Sequence, residues 1–183
     1  GSGLLTVDGA MGGTKDFFSP GHSLEFVATF TATPGQHIGF GTDLNGYPWA
    51  IFSTGYGGAS LVANTSRVGL ADVSDLGATY LGAPHRYRID WTPSGVIYTI
   101  DGVQVATHSV DISADMRPLA SDAPGDASLV LDWLHMSPYA TTCDFVSRIF
   151  TVGDSVRWRD LIWNGSQPSG ATITFKTRSS VDN

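Results

Sequence analysis

Acid–base hydrolysis of a glycosidic bond needs two carboxylates facing one substrate, about 5–5.5 Å apart when one is a nucleophile and about 6.5–9.5 Å apart when a water lies between. On a β-strand, side chains share a face only at alternate positions. The 183-residue sequence has seventeen acidic residues, and only one, Glu25, is a glutamate. No D-x-D or D-x-x-D falls on a segment with strand character; the nearest pairs, Asp72/Asp75 and Asp122/Asp126, fall in expected loops. The five histidines, His22, His37, His85, His108 and His135, are scattered, with none at metal-ligating H-x-x-x-H spacing. There is no G-x-S-x-G, and Gly55-Tyr56-Gly57-Gly58 lacks the Lys-Ser/Thr of a phosphate-binding loop. Cys143 stands alone, so an internal disulfide and a cysteine zinc site are both excluded, and no base partner is evident for it.

Binding chemistry is better supplied. Sugars are held by aromatic faces against apolar ring faces, with Asp, Asn and Arg on the hydroxyls. Asp43, Asn45, Tyr47, Trp49 and Tyr56 fall within one short stretch and provide both kinds of group. The alternative puts Trp49 and Phe52 in the core and makes Asp43-Leu44-Asn45-Gly46 an ordinary turn. Arg88 and Arg117 are further candidate contacts, since each sits on a strand whose other face is apolar; as surface residues they would simply be solvated. Trp91 and Trp133 are expected in the core.

Short alternating segments separated by Gly, Pro, Asn and Asp must position these residues. Strands are expected over 4–7, 23–32, 37–42, 49–54, 60–63, 86–91, 96–100, 103–108, 116–120 and 128–136. Thr92-Pro93-Ser94-Gly95 and Asp101-Gly102 read as hairpin turns. No helical period of useful length occurs, and poverty in Glu and Lys beside 22 Gly suits strands and turns. So many short strands imply an all-β sandwich or barrel. A net charge of −7 argues against nucleic acid or an anionic membrane as partner. No apolar run approaches the roughly 20 residues of a membrane span.

Within this pattern, HRYRIDWTPSGVIYTIDGVQVATH (85–108) resembles the H-x-Y-x-I-x-W-T-P…D-G hairpin of concanavalin A-like sandwiches. It is similar to family 16 glycoside hydrolases and their laminin-G-like, non-catalytic relatives. SPGHSLEFVATFT and SLVLDWLHMSPY resemble the early and closing strands of that family, in the same order. The resemblance implies an antiparallel jelly-roll sandwich over residues 4–139. It also implies a cleft strand near Pro48–Ser53, which carries no carboxylate where the family has E-x-D-x-(x)-E, and it places Asp43 to Tyr56 beside the cleft. Asp132 matches an Asp that holds a structural Ca²⁺ in similar proteins, with main-chain carbonyls as the other ligands.

Residues 140–183 form a tail with three expected strands, 144–152, 155–163 and 171–178, resembling the start of a repeated β-module of bacterial surface proteins. A piece so short cannot stand alone. It is either an extension of the sandwich, anchored through Trp158 or Trp163, or the start of a second module. The expected function is a non-catalytic carbohydrate-binding or adhesive module, with a polysaccharide or glycan as partner, within an exported, multidomain bacterial protein at the cell surface. Its export signal would lie outside this sequence, because Gly1-Ser2-Gly3 reads as a linker end. The rivals are a divergent sandwich glycosidase or polysaccharide lyase, and a purely structural assembly module.

Overall fold

Leu24, Phe26 and Ala28 take alternate positions along one strand, and Tyr87, Ile89 and Trp91 alternate with polar neighbours on the next; all six are buried in a common core. The computed structural model describes residues 3–125, 127–138 and 172–177. Among the described residues, twelve strands occur in chain order: β1 Leu5–Val7, β2 Ala10–Gly13, β3 His22–Thr29, β4 His37–Gly41, β5 Trp49–Ser53, β6 Leu61–Arg67, β7 Leu70–Gly77, β8 His85–Thr92, β9 Gly95–Ile100, β10 Val103–His108, β11 Arg117–Asp122 and β12 Leu129–Ser137.

They form two six-stranded sheets, both antiparallel throughout. The first runs β1-β12-β3-β8-β9-β10 and the second β2-β11-β4-β5-β6-β7. The inner faces meet in one aromatic cluster in which Phe52, from the second sheet, packs on Phe26, Tyr87 and Tyr98 of the first. One sheet edge is closed by polar groups. His108 lies between Thr65 Oγ1 (2.9 Å from Nδ1) and Ser74 Oγ (3.0 Å from Nε2), and Thr65 also meets the Tyr98 hydroxyl at 2.7 Å. A neutral imidazole protonated on Nδ1 satisfies this chain in one direction: Ser74 donates to His108, His108 to Thr65, Thr65 to Tyr98, and Tyr98 to the Asn64 carbonyl at 2.9 Å. Burial holds the His108 pKa below its ordinary value, against the opposing pull of Asp72.

Ten of these strands fall where the alternation puts them, and two do not. β2 is Ala-Met-Gly-Gly, with almost nothing for a pattern to register, and β7 runs along the exposed edge as Leu-Ala-Asp-Val-Ser-Asp-Leu-Gly. Asp72 and Asp75 therefore lie on a strand rather than in a loop. Three residues apart, they point to opposite faces: Asp72 pairs with inward Thr65 and Asp75 with outward Val62. Asp122 ends β11 and is buried, whereas Asp126 lies outside the described residues.

Trp133 is not a core residue. The pairing of β12 with β3 skips Asp132, so that Leu131 faces Ala28 and Trp133 faces Val27. A bulge adds one residue and shifts the alternation by one. Leu129 and Leu131 point inward before it; Trp133 points outward after it and stacks on His135 at 5.1 Å.

The chain divides into two compact units, residues 1–143 and 144–183, and the sandwich belongs to the first. Trp158, Trp163 and the expected strands 144–152 and 155–163 lie outside the described residues. Of the third expected tail strand, residues 172–177 are described and carry no strand. Among the described residues no helix is long and apolar enough to cross a membrane.

Candidate functional site

β5 corresponds to the cleft strand that the sequence resemblance implies. Ala50 and Phe52 point into the core, so Trp49, Ile51 and Ser53 face outward. The register continues this face across the sheet. One row reads Arg117, Gly41, Trp49, Ser66 and Ala71; the next reads Leu119, Gly39, Ile51, Asn64 and Val73. Asp75 is the only carboxylate that the described strands of this sheet place on the outer face, and its near neighbours offer no second one within glycosidase reach.

Trp49 is half-buried and fixed from below. Its indole Nε1 donates to Asn64 Oδ1 at 3.1 Å, and Ser66 Oγ donates to the same oxygen at 2.8 Å. The Tyr98 hydroxyl holds the Asn64 carbonyl, so the polar chain closing the sheet edge also steadies the residue beneath Trp49. Tyr47 leans on Trp49 with ring centroids 4.5 Å apart and is 51% exposed. The loop before it is self-contained: Asp43 Oδ1 accepts from the Asn45 and Gly46 amides at 2.9 and 3.2 Å, and Leu44 takes a left-handed conformation with φ of 59°. Asp43 and Asn45 are both exposed.

Beyond Tyr47, the β4–β5 loop, the β6–β7 turn and the segment before β11 enclose a groove of about 380 Å³, lined by Tyr47, Pro48, Arg67, Val68, Asp111 and Ser113 among others. Arg67 grips Asp111 through Nε at 3.1 Å and Nη2 at 2.9 Å. Its guanidinium holds the Asp111 carboxyl below the usual carboxylate range. A general acid needs a raised pKa, so Asp111 is set up to accept hydrogen bonds, not to deliver a proton.

Tyr47 and Trp49 are thus brought together, with Asp43 and Asn45 in the adjoining loop. Tyr56 is fully exposed in the loop after β5, at the opposite end of that strand. Arg117 shares the Trp49 row but is engaged elsewhere: Nε and Nη1 donate to the Thr42 and Thr14 carbonyls, each at 3.0 Å, and the guanidinium lies over Phe17. Arg88 is on the other sheet, clamped to Asp90 by Nε at 3.0 and 2.9 Å and by Nη2 at 2.6 Å. Asp132 stands exposed at the β12 bulge. Calcium takes six to eight oxygens, and no group of three or more His, Cys, Asp or Glu residues comes together among the described residues. Arg67, Asp111 and Asn64 carry the site without having been singled out in the sequence. Asn64 and Arg67 share β6, whereas Asp111 lies 44 residues beyond Arg67; only the register of β5 with β6 and the path of the segment after β10 unite them with Tyr47 and Trp49.

No family profile and no curated protein matches the sequence. Solved structures do match in shape. The family 66 carbohydrate-binding module from Bacillus subtilis aligns over 73% of this chain and 94% of its own, with 12% identity and a TM-score of 0.52. A native glycosidic hydrolase aligns over 75% of this chain and 78% of its own, with 18% identity and a TM-score of 0.50. The chain therefore has the concanavalin A-like β-sandwich fold. Binding modules and hydrolases both use that fold, which by itself does not choose between them.

Proposed function

We propose that the chain is a non-catalytic carbohydrate-binding module of an exported, multidomain protein, and that it holds its glycan in the groove at the end of the second sheet. The observation that carries this reading is the pairing of an exposed aromatic platform with an Arg–Asp ion pair in one groove. Tyr47, backed by Trp49, lines the groove together with Arg67 and Asp111, which are bound to each other. A sugar ring stacks on the first and exchanges hydroxyl hydrogen bonds with the second, where Arg67 donates and Asp111 accepts.

The outer face of the same sheet supports a binding role over hydrolysis. Where a sandwich glycosidase aligns an acid and a nucleophile, β5 presents Trp49, Ile51 and Ser53. Among the described residues the groove is lined by one carboxylate, Asp111, and Arg67 keeps it ionised. The acidic net charge of −7 argues against a polyanionic partner such as nucleic acid.

Sedimentation with insoluble cellulose, chitin and curdlan, followed by a reducing-end assay of the supernatant, tests the reading. The expected outcome is retention on at least one polysaccharide without release of reducing ends. Turnover abolished by a single Asp→Asn substitution would replace the binding module with an enzyme.

A further inference from the structure

The outer face of the first sheet carries a polar cluster that the groove on the second sheet does not use. Glu25, only 7% exposed, lies at its centre on β3. Arg86 Nε donates to its carboxylate, and His135 Nε2 lies 3.1 Å from it. The Arg86 guanidinium also sits over the Trp133 ring, 5.9 Å from its centroid. That ring is outward only because of the β12 bulge. Beside this cluster is a depression of about 510 Å³ lined by Glu25, Arg86, Arg88, Thr99, Asp101 and Gly102.

Two features mark the depression as more than a solvated charged face. The Arg86 side chain is 61% exposed yet pinned at both Nε and its planar face, so its usual freedom is already lost in the unliganded protein. Its two terminal amino groups make no hydrogen bond among the described residues, and neither does the Thr99 hydroxyl on the neighbouring strand. Asp101, at the hairpin turn, accepts from the Arg86 amide at 2.9 Å and meets His85 Nδ1 at 2.7 Å, which fixes its carboxylate and leaves further lone pairs. Oriented donors and acceptors thus lie side by side. Glu25, Asp101 and Asp90, which is bound to Arg88, offset the charge of Arg86 and Arg88, which removes the attraction that an anionic ligand would need.

We infer that this depression is a second ligand site, on the sheet opposite the groove, which takes a vicinal hydroxyl pair of a neutral sugar. Arg86 donates to the hydroxyls, while Thr99 and Asp101 accept. With the groove on the other sheet, the module is bivalent and can bridge two chains or two segments of one.

NMR titration of the whole chain with methyl β-glucoside, methyl β-galactoside and methyl β-glucuronide tests this. The expected result is a shift of the Arg86 Nε–H and of the Thr99 and Gly102 amides with at least one neutral glycoside. That shift should persist in Tyr47→Ala, so that failure of the groove and failure of this site can be told apart. Arg86→Ala should abolish the response. Thr99→Val, which keeps the side-chain shape and leaves Glu25 paired, should weaken binding about 2- to 10-fold. Absence of any shift at these residues overturns the inference, as does a stronger response to the glucuronide than to both neutral glycosides.

Discussion

Trp49 is the residue on which a reading from sequence and a reading from structure meet most directly. Its type was legible as a candidate platform, but its facing was not, because a one-residue slip turns a strand residue inward. The structure resolves this through Phe52. Three residues apart on one strand, Trp49 and Phe52 cannot both face the core, and Phe52 is the one that does. Trp49→Ala should therefore weaken glycan binding by about 1–3 kcal/mol through lost stacking and apolar burial. It should cost less stability than the roughly 3–5 kcal/mol of a buried Trp or Phe truncation. Calorimetric titration and chemical unfolding of the same variant measure both quantities. A variant destabilised by that larger amount with unchanged affinity would return Trp49 to the core. Tyr56 illustrates the opposite case: it is close to Trp49 in sequence, but an intervening strand carries it to the other end of the sheet.

Strand facing was legible wherever polar and apolar residues alternate, as in β8 and β9, and failed where a local irregularity interrupts the period. The Asp132 bulge turned Trp133 outward, and β2 and the edge strand β7 had too little pattern to register. The pairing of β4 with β5 depends on a feature that hydropathy does not report. A Cβ at Gly39 would stand 2.2 Å from the Ala50 carbonyl oxygen and 2.7 Å from Ile51 Cα, both backbone atoms with no room to yield. Gly39→Ala should thus destabilise the fold by about 3 kcal/mol or more and loosen the Trp49 loop with it; an unfolding midpoint equal to the parent would refute that packing. The polar chain at the sheet edge makes its own pH prediction. The folded-state pKa of His108 is lowered, so the unfolded chain binds more protons as pH falls through and below the ordinary histidine range of about 6.5. The neutral-His contribution to stability is complete above that range and is lost on acidification. His37 is lowered by burial as well and adds in the same direction. Melting temperatures measured from pH 8 to 5 should fall, and the fall should shrink in His108→Gln. A flat profile would contradict the neutral assignment.

At the scale of the molecule, every residue of the described core lies between Val7 and Leu131. Residues 1–143 should accordingly fold cooperatively alone, with a melting temperature close to that of the whole chain; loss of several degrees on truncation after Cys143 would make the remainder part of the sandwich's stability. The fold itself was legible because its signature hairpin is local, confined to residues 85–108. The binding groove was not, because Arg67 and Asp111 are 44 residues apart and meet only after both sheets have formed. That groove is the centre of the account, and affinity electrophoresis through gels containing soluble β-glucan, galactan or levan tests it most directly. The wild-type chain should be retarded by at least one of them, and a Tyr47→Ala/Arg67→Ala double variant with an unchanged unfolding midpoint should run as it does in a gel without polysaccharide. Equal retardation of both proteins, or of neither in any gel, would contradict glycan binding at the groove.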